Sequence, residues 1–117
     1  MTEDWARPVV HWEIQAHDPE VLRAFYAQLF NWQIGDGPVM RIPPGIGGPE
    51  PGPAGHIRQS DHPGVTLYIQ VRDLRASLTK AEQLGGRVLA QPRDLPEGPT
   101  IAGIADPEGN RVVLVQQ

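Results

Sequence analysis

No cysteine occurs among the 117 residues, so a disulfide framework, a thiolate nucleophile and a cysteine-ligated metal are all excluded. Reducing surroundings suit such a chain, and the cytoplasm is the expected location. Basic charge is also scarce: 10 Lys and Arg stand against 14 Asp and Glu, for a formal charge of -4. The basic residues are scattered, so no electrostatic footprint for nucleic acid or an anionic membrane is expected. Nowhere does the chain offer the ~20 consecutive apolar residues of a membrane span. The first eight residues carry Glu3, Asp4 and Arg7 without an apolar run, so no secretory leader is signalled either. The length suits a single domain spanning 1–117, large enough to bury roughly two-thirds of its unfolded surface.

What is present is an internal repeat with an offset of 55 residues. Val10 matches Val65, Ile14 matches Ile69, Gln15 matches Gln70, Asp18 matches Asp73, Gln28 matches Gln83 and Leu29 matches Leu84. Few of these identities mean much alone, but all share one register. Each copy opens on the period-2 pattern of a half-buried strand. In residues 9–16, His11, Glu13 and Gln15 alternate with Val10, Trp12, Ile14 and Ala16; in 64–71, Thr66, Tyr68 and Gln70 alternate with Val65, Leu67, Ile69 and Val71. An Asp then follows that can cap a helix, Asp18 before Pro19 and Asp73 before Leu74. Leu22, Phe25, Tyr26 and Leu29 form the predicted packing stripe of the first helix; Leu74, Leu78 and Ala81 form that of the second. Gly85 and Gly86 suit the end of the second helix.

Shorter strands are predicted after each helix, at 31–35, 38–42 and 54–59 in the first copy and at 87–91, 100–105 and 111–116 in the second. Asp106-Pro107-Glu108-Gly109-Asn110 reads as the turn joining the last two into a hairpin. Residues 43–55, rich in Pro and Gly and nearly uncharged, read as a loop, either a flap over a concave face or a plain connection. The predicted fold is α+β, two tandem βαβββ modules, about 8–60 and 64–117, curling around one small-molecule cavity.

Phe25-Tyr26-x-x-Leu29-Phe30-x-Trp32, preceded by Asp18 and followed by Gly45-Ile46-Gly47-Gly48, resembles the vicinal oxygen chelate superfamily. That is the group of glyoxalase I, bleomycin-resistance proteins and extradiol dioxygenases. The closing run from Asp106 to Leu114 is similar to its final hairpin. The resemblance implies an open, cup-shaped, mixed eight-stranded sheet with the helices outside, a ligand in the concavity and pairing as homodimers. It also implies, for metal-dependent members, His and Glu ligands on the first and last strands of each module, holding an ion that polarises a substrate oxygen.

Tested residue by residue, that ligand set is incomplete. His11, seven residues before Asp18, matches the first ligand position, but its repeat equivalent is Thr66, a weak ligand. The position four residues after Gly109 is Val113, which coordinates nothing. His56, Arg58 and Gln59 are the candidates on the first module's last strand, so a metal could call at most on His11, Glu13 and His56. The expectation is therefore no metal and no other cofactor.

The candidate ligand-binding residues are His11, Glu13, Gln15, Thr66, Tyr68, Gln70 and Val113, because polar groups inside a cavity need partners and converge to orient a ligand. If there is catalysis, Glu13 is the chosen general base, burial beside Tyr68 being expected to raise its carboxyl toward neutrality, with His11 beside it. His17 and His62 read as surface residues, and Trp5, Trp12 and Trp32 as packing anchors, with a cover for a dimer partner as the alternative for Trp5. The sequence favours a metal-independent small-molecule binding protein that sequesters or senses its ligand. The rivals are a lyase, isomerase or dioxygenase-like enzyme using Glu13 and His11, and a protein-interaction module.

Overall fold

The computed structural model describes residues 6–44 and 52–116. Trp5, the Gly45-Ile46-Gly47-Gly48 motif and most of the 43–55 loop lie outside the described residues. Among the described residues the chain forms seven strands and two helices, in the order β1 (Val9–Ala16), α1 (Pro19–Phe30), β2 (Val39–Ile42), β3 (Gly55–Gln59), β4 (Gly64–Gln70), α2 (Leu74–Gln83), β5 (Arg87–Asp94), β6 (Thr100–Ala105) and β7 (Arg111–Gln116). They assemble into two compact units. One is Val10–Thr66; the other runs from Leu67 onward together with the residues up to Val9. Each unit mixes parallel and antiparallel strand pairs beside one helix, an α+β arrangement as expected.

Both helices start where the sequence places them. Asp18 and Asp73 have extended backbones, and each side chain accepts a hydrogen bond from the backbone N–H three residues on, at Val21 and Ala76. This satisfies an amide that the first helical turn leaves without a partner. The second helix ends in a Schellman arrangement: Gly86 N–H donates to Ala81 O at 2.8 Å and Gly85 N–H to Glu82 O at 3.2 Å. Gly85 sits at φ +98, a conformation an L side chain resists.

In the first unit the strand order is β2-β3-β1. The parallel register sets Glu13 beside His56, Ile14 beside Ile57 and Gln15 beside Arg58, and the antiparallel one sets Met40 beside Ile57 and Arg41 beside His56. Strand alternation does the rest. Ile14, Met40, Ile42 and Ile57 build one face, join Ala16 and Ile34, and are covered by Trp12, Leu22, Tyr26, Ala27 and Trp32. Ile57 at their centre is fully buried, and the Tyr26 and Trp32 rings stack at 5.6 Å, so Trp12 and Trp32 are the anchors the sequence suggested. In the second unit the order is β4-β7-β6-β5, and Leu74 and Leu78 pack with Val71, Ala102 and Leu114.

Two expectations are corrected. Residues 31–35 form no strand, so the first unit lacks the third strand that the repeat implied after its helix. Asn31 takes the left-handed conformation at φ 59 as the helix cap, Ile34 is drawn into the core, and the segment's backbone bond into β2 is Gly35 N–H to Arg41 O at 2.9 Å. One such bond is not a ladder. The packing stripe of α1 is also narrower than predicted. Leu22 and Tyr26 pack on the core beside Trp12 and Trp32, but Phe25 and Leu29 remain 54% and 60% exposed.

Gly55 is where the chain tolerates no side chain. A Cβ there would stand 2.2 Å from the Trp12 ring, which is itself tied by its Nε1–H to Pro53 O at 2.9 Å. Gly55→Ala is expected to lower stability by about 1–3 kcal/mol, the usual cost of overpacking. Gly52→Ala, which meets no atom within 4 Å, should stay within about 0.5 kcal/mol of the parent. Parallel denaturant titrations of the two variants check this.

Candidate functional site

The other face of β2-β3-β1 carries no apolar core. There the registers bring Glu13, Gln15, His56, Arg58 and Arg41 together, and His11 joins them through its Nε2, 2.7 Å from His56 Nδ1. The two imidazoles lie at a centroid distance of 4.9 Å. His56 Nε2 is 2.8 Å from Glu13 Oε1. Arg58 donates from Nε to the same oxygen at 2.8 Å and from Nη2 to Oε2 at 3.3 Å, and Gln15 Nε2 donates to Oε2 at 2.7 Å. Glu13 and His56 are only 3% and 8% exposed although they sit on the face away from α1.

The hydrogen-bond pattern assigns the protons. An ionised carboxylate only accepts, so His56 donates from Nε2 to Glu13. A neutral His56 then accepts at Nδ1, and the proton between the rings belongs to His11 Nε2. Burial pushes the Glu13 carboxyl up, but the hydrogen bonds from His56, Arg58 and Gln15, together with the Arg58 charge, outweigh it and hold the group well below the usual carboxylate range. The expectation of a raised Glu13 is therefore overturned. Burial alone would raise the carboxyl, but strand pairing brings donors to both of its oxygens. For His11, burial lowers the pKa, the neighbouring His56 and Arg41 lower it further, and Glu13 only partly offsets them. His11 is thus a neutral imidazole at physiological pH.

The family's metal does not fit these residues. Glu13 accepts four hydrogen bonds, as many as its lone pairs serve, and His56 has both nitrogens engaged. The Arg58 guanidinium stands where a second cation would be repelled. Among the described residues no three His, Asp or Glu side chains form a group able to hold a metal ion.

Of the other candidate residues, Thr66 is buried in the first unit. Tyr68, Gln70 and Val113 belong to the second. There Tyr68 pairs with Val113 and Gln70 with Val115 across β4 and β7, while Gly103 lies opposite Val113 on β6. That stretch is far more apolar than the face of the first unit. The second unit also carries clefts of about 450 Å³, beside Arg72, Arg75 and Thr100, and about 460 Å³, beside Ser77, Lys80 and Pro107. Neither is lined by Tyr68, Gln70 or Val113. His17 and His62 are exposed, as expected. Arg58 was visible in the sequence only as one of three inward candidates, and Arg41 was missed. The alternation of Met40 and Ile42 with Val39 and Arg41 was the signal that could have placed it.

The fold is shared with solved structures of the glyoxalase, bleomycin-resistance and dioxygenase superfamily. A member from Vibrio splendidus 12B01 superposes with a TM-score of 0.65 at 13% identity, covering 96% of this chain and 100% of that one. Methylmalonyl-CoA epimerase from Mycobacterium tuberculosis gives 0.61 at 17%, covering 92% and 86%. A Streptomyces coelicolor methylmalonyl-CoA epimerase variant in complex with 2-nitronate-propionyl-CoA gives 0.59 at 19%, covering 94% of each chain. The chain belongs to the glyoxalase-like domain family, whose model matches residues 11–115. No curated protein matches it by sequence. Among the described residues no helix is long and apolar enough to cross a membrane.

The charge network has a consequence for acid stability. The folded state holds the Glu13 proton less tightly than the unfolded chain does, so its contribution is complete above about pH 4.3 and drains away as pH falls toward the depressed folded value. Glu13→Gln should flatten that acid limb. At pH 7 it should cost roughly 3 kcal/mol, the low end for a broken buried pair, because the Arg58 side chain keeps access to water. Denaturant titrations of both proteins between pH 3 and 7 measure the difference.

Proposed function

We propose that this chain binds a small molecule against the polar face of β2-β3-β1 without a metal, as a sequestering or sensing module. The observation that carries this reading is the burial of Glu13 and His56 on the face away from the helix. A face that merely met water would leave its charged groups exposed. Here they are concealed, mutually bonded and held in one geometry, which is how polar groups in ligand pockets are prepared. The solved neighbours, including methylmalonyl-CoA epimerases in complex with methylmalonyl-CoA or 2-nitronate-propionyl-CoA, support a ligand-binding use of the fold.

The test is a thermal-shift screen of the whole protein, run with and without EDTA and paired with elemental analysis. Substoichiometric metal and an unchanged melting temperature in EDTA are expected. A ligand at about 100 times its Kd should add about 2.7 kcal/mol, a rise on the order of 10 °C. Stoichiometric metal whose removal lowers the melting temperature would refute the metal-free reading.

A second reading is supported by the chain of short contacts from His11 through His56 to Glu13. In it the chain is an enzyme of the isomerase or lyase kind, with His11 as proton acceptor. A proton taken at His11 Nδ1 would pass the Nε2 proton to His56, leaving the imidazolium against the Glu13 carboxylate. This exchanges the roles first assigned, since a carboxylate so stabilised is a weak base. Solvent deuterium should then enter a bound ligand, and His11→Gln should abolish that exchange while binding persists. A protein that binds but never exchanges is a binder only.

The apolar residues Val21, Phe25 and Leu29, exposed along α1, support pairing as a homodimer, since such a stripe is costly to leave in water. Sedimentation equilibrium is expected to show twice the chain mass, and Phe25→Glu to halve it.

A further inference from the structure

We propose that the polar face of the first unit takes its ligand by a carboxylate, with Arg41 as the anchoring cation. This names the ligand class for the site proposed above and rests on that reading. Arg41 lies on β2 in register with His56 on β3, so both side chains stand on one face of the sheet. The His56 ring stacks in turn on His11, whose pKa the Arg41 charge helps to lower.

Among the described residues the face carries one formal surplus positive charge. Arg58 is spent on Glu13 through two bonds, and those two residues cancel formally. Glu13 has its oxygens filled. Arg41 brings a second cation, and among the described residues its side chain makes no hydrogen bond or ion pair. A guanidinium is a planar fork of N–H donors matched to the two oxygens of a carboxylate. One surplus positive charge balances a monoanion, whereas a phosphate dianion would leave negative charge facing the Glu13 carboxylate.

The probe is sodium acetate, titrated into the ¹⁵N-labelled whole protein at constant ionic strength and followed at the Arg side-chain Nε–H and His ring signals. Acetamide and inorganic phosphate are parallel titrants. Acetate should produce a saturable shift at Arg41 and His11 with a Kd in the millimolar range, in keeping with a fragment of so few atoms. Acetamide should produce none, and phosphate should bind more weakly. Arg41→Gln should weaken acetate at least ~10-fold with the spectrum otherwise folded, while Arg93→Gln, on β5, should leave it unchanged. Equal binding of acetamide, tighter binding of phosphate, or full acetate affinity in Arg41→Gln would overturn the carboxylate assignment. If neutral compounds from the thermal screen bind this face and acetate does not, the assignment falls while the binding reading stands. If neither kind binds, both fall.

Discussion

Burying one carboxylate constrains nearly everything around it. Glu13 sits almost out of reach of water, where an unpaired charge would cost several kcal/mol. The cost is met by donors that come from three places: Gln15 on its own strand, and His56 and Arg58 on the neighbouring one. Those donors reach Glu13 only if β1 and β3 pair in parallel with residue 13 beside 56. A slip of one residue would turn the polar set into the apolar core and the core onto the polar face. The carboxylate and the hydrophobic layer therefore enforce the same register from opposite sides of the sheet.

That coupling explains why the two faces are so different. Toward α1 the sheet presents branched aliphatic residues capped by indole and phenol rings, with Gly55 left bare so that the Trp12 ring can lie against the strand. Away from α1 it presents imidazole, carboxylate, amide and guanidinium. The network is polar without being soft. Each member holds its neighbour's orientation, and the assignment of protons along His11, His56 and Glu13 follows from Glu13 remaining ionised. In the second unit the register sets Tyr68 against Val113, with a glycine at 103 opposite.

Much of the architecture could be read from local pattern. Alternation placed β1 and β4, the two aspartates capped the helices as expected, and Gly85 with Gly86 closed α2. The 106–110 turn joins β6 to β7, with Gly109 at φ +92. These features depend on a few consecutive residues, so the chain's own order contains them. The failures have a different origin. Residues 31–35 have strand-like composition, but the left-handed turn at Asn31 and the pull of the core on Ile34 leave them no partner along their length. Phe25 and Leu29 have helical spacing, yet how wide a stripe is buried depends on what else fills the layer.

The site shows the same division. Sequence alone determined that His11, Glu13 and Gln15 share one side of a strand, that the metal ligand pattern is incomplete, and that no cysteine chemistry is available. Only the tertiary structure decided which residues of 54–60 meet them, that Arg41 stands on the same face, and that Glu13 is more acidic rather than less. The reason is that a pKa answers to its nearest donors. Residues 13 and 56 are separated by 43 positions along the chain, and what brings them within a hydrogen bond is strand register, a property of the whole packed unit.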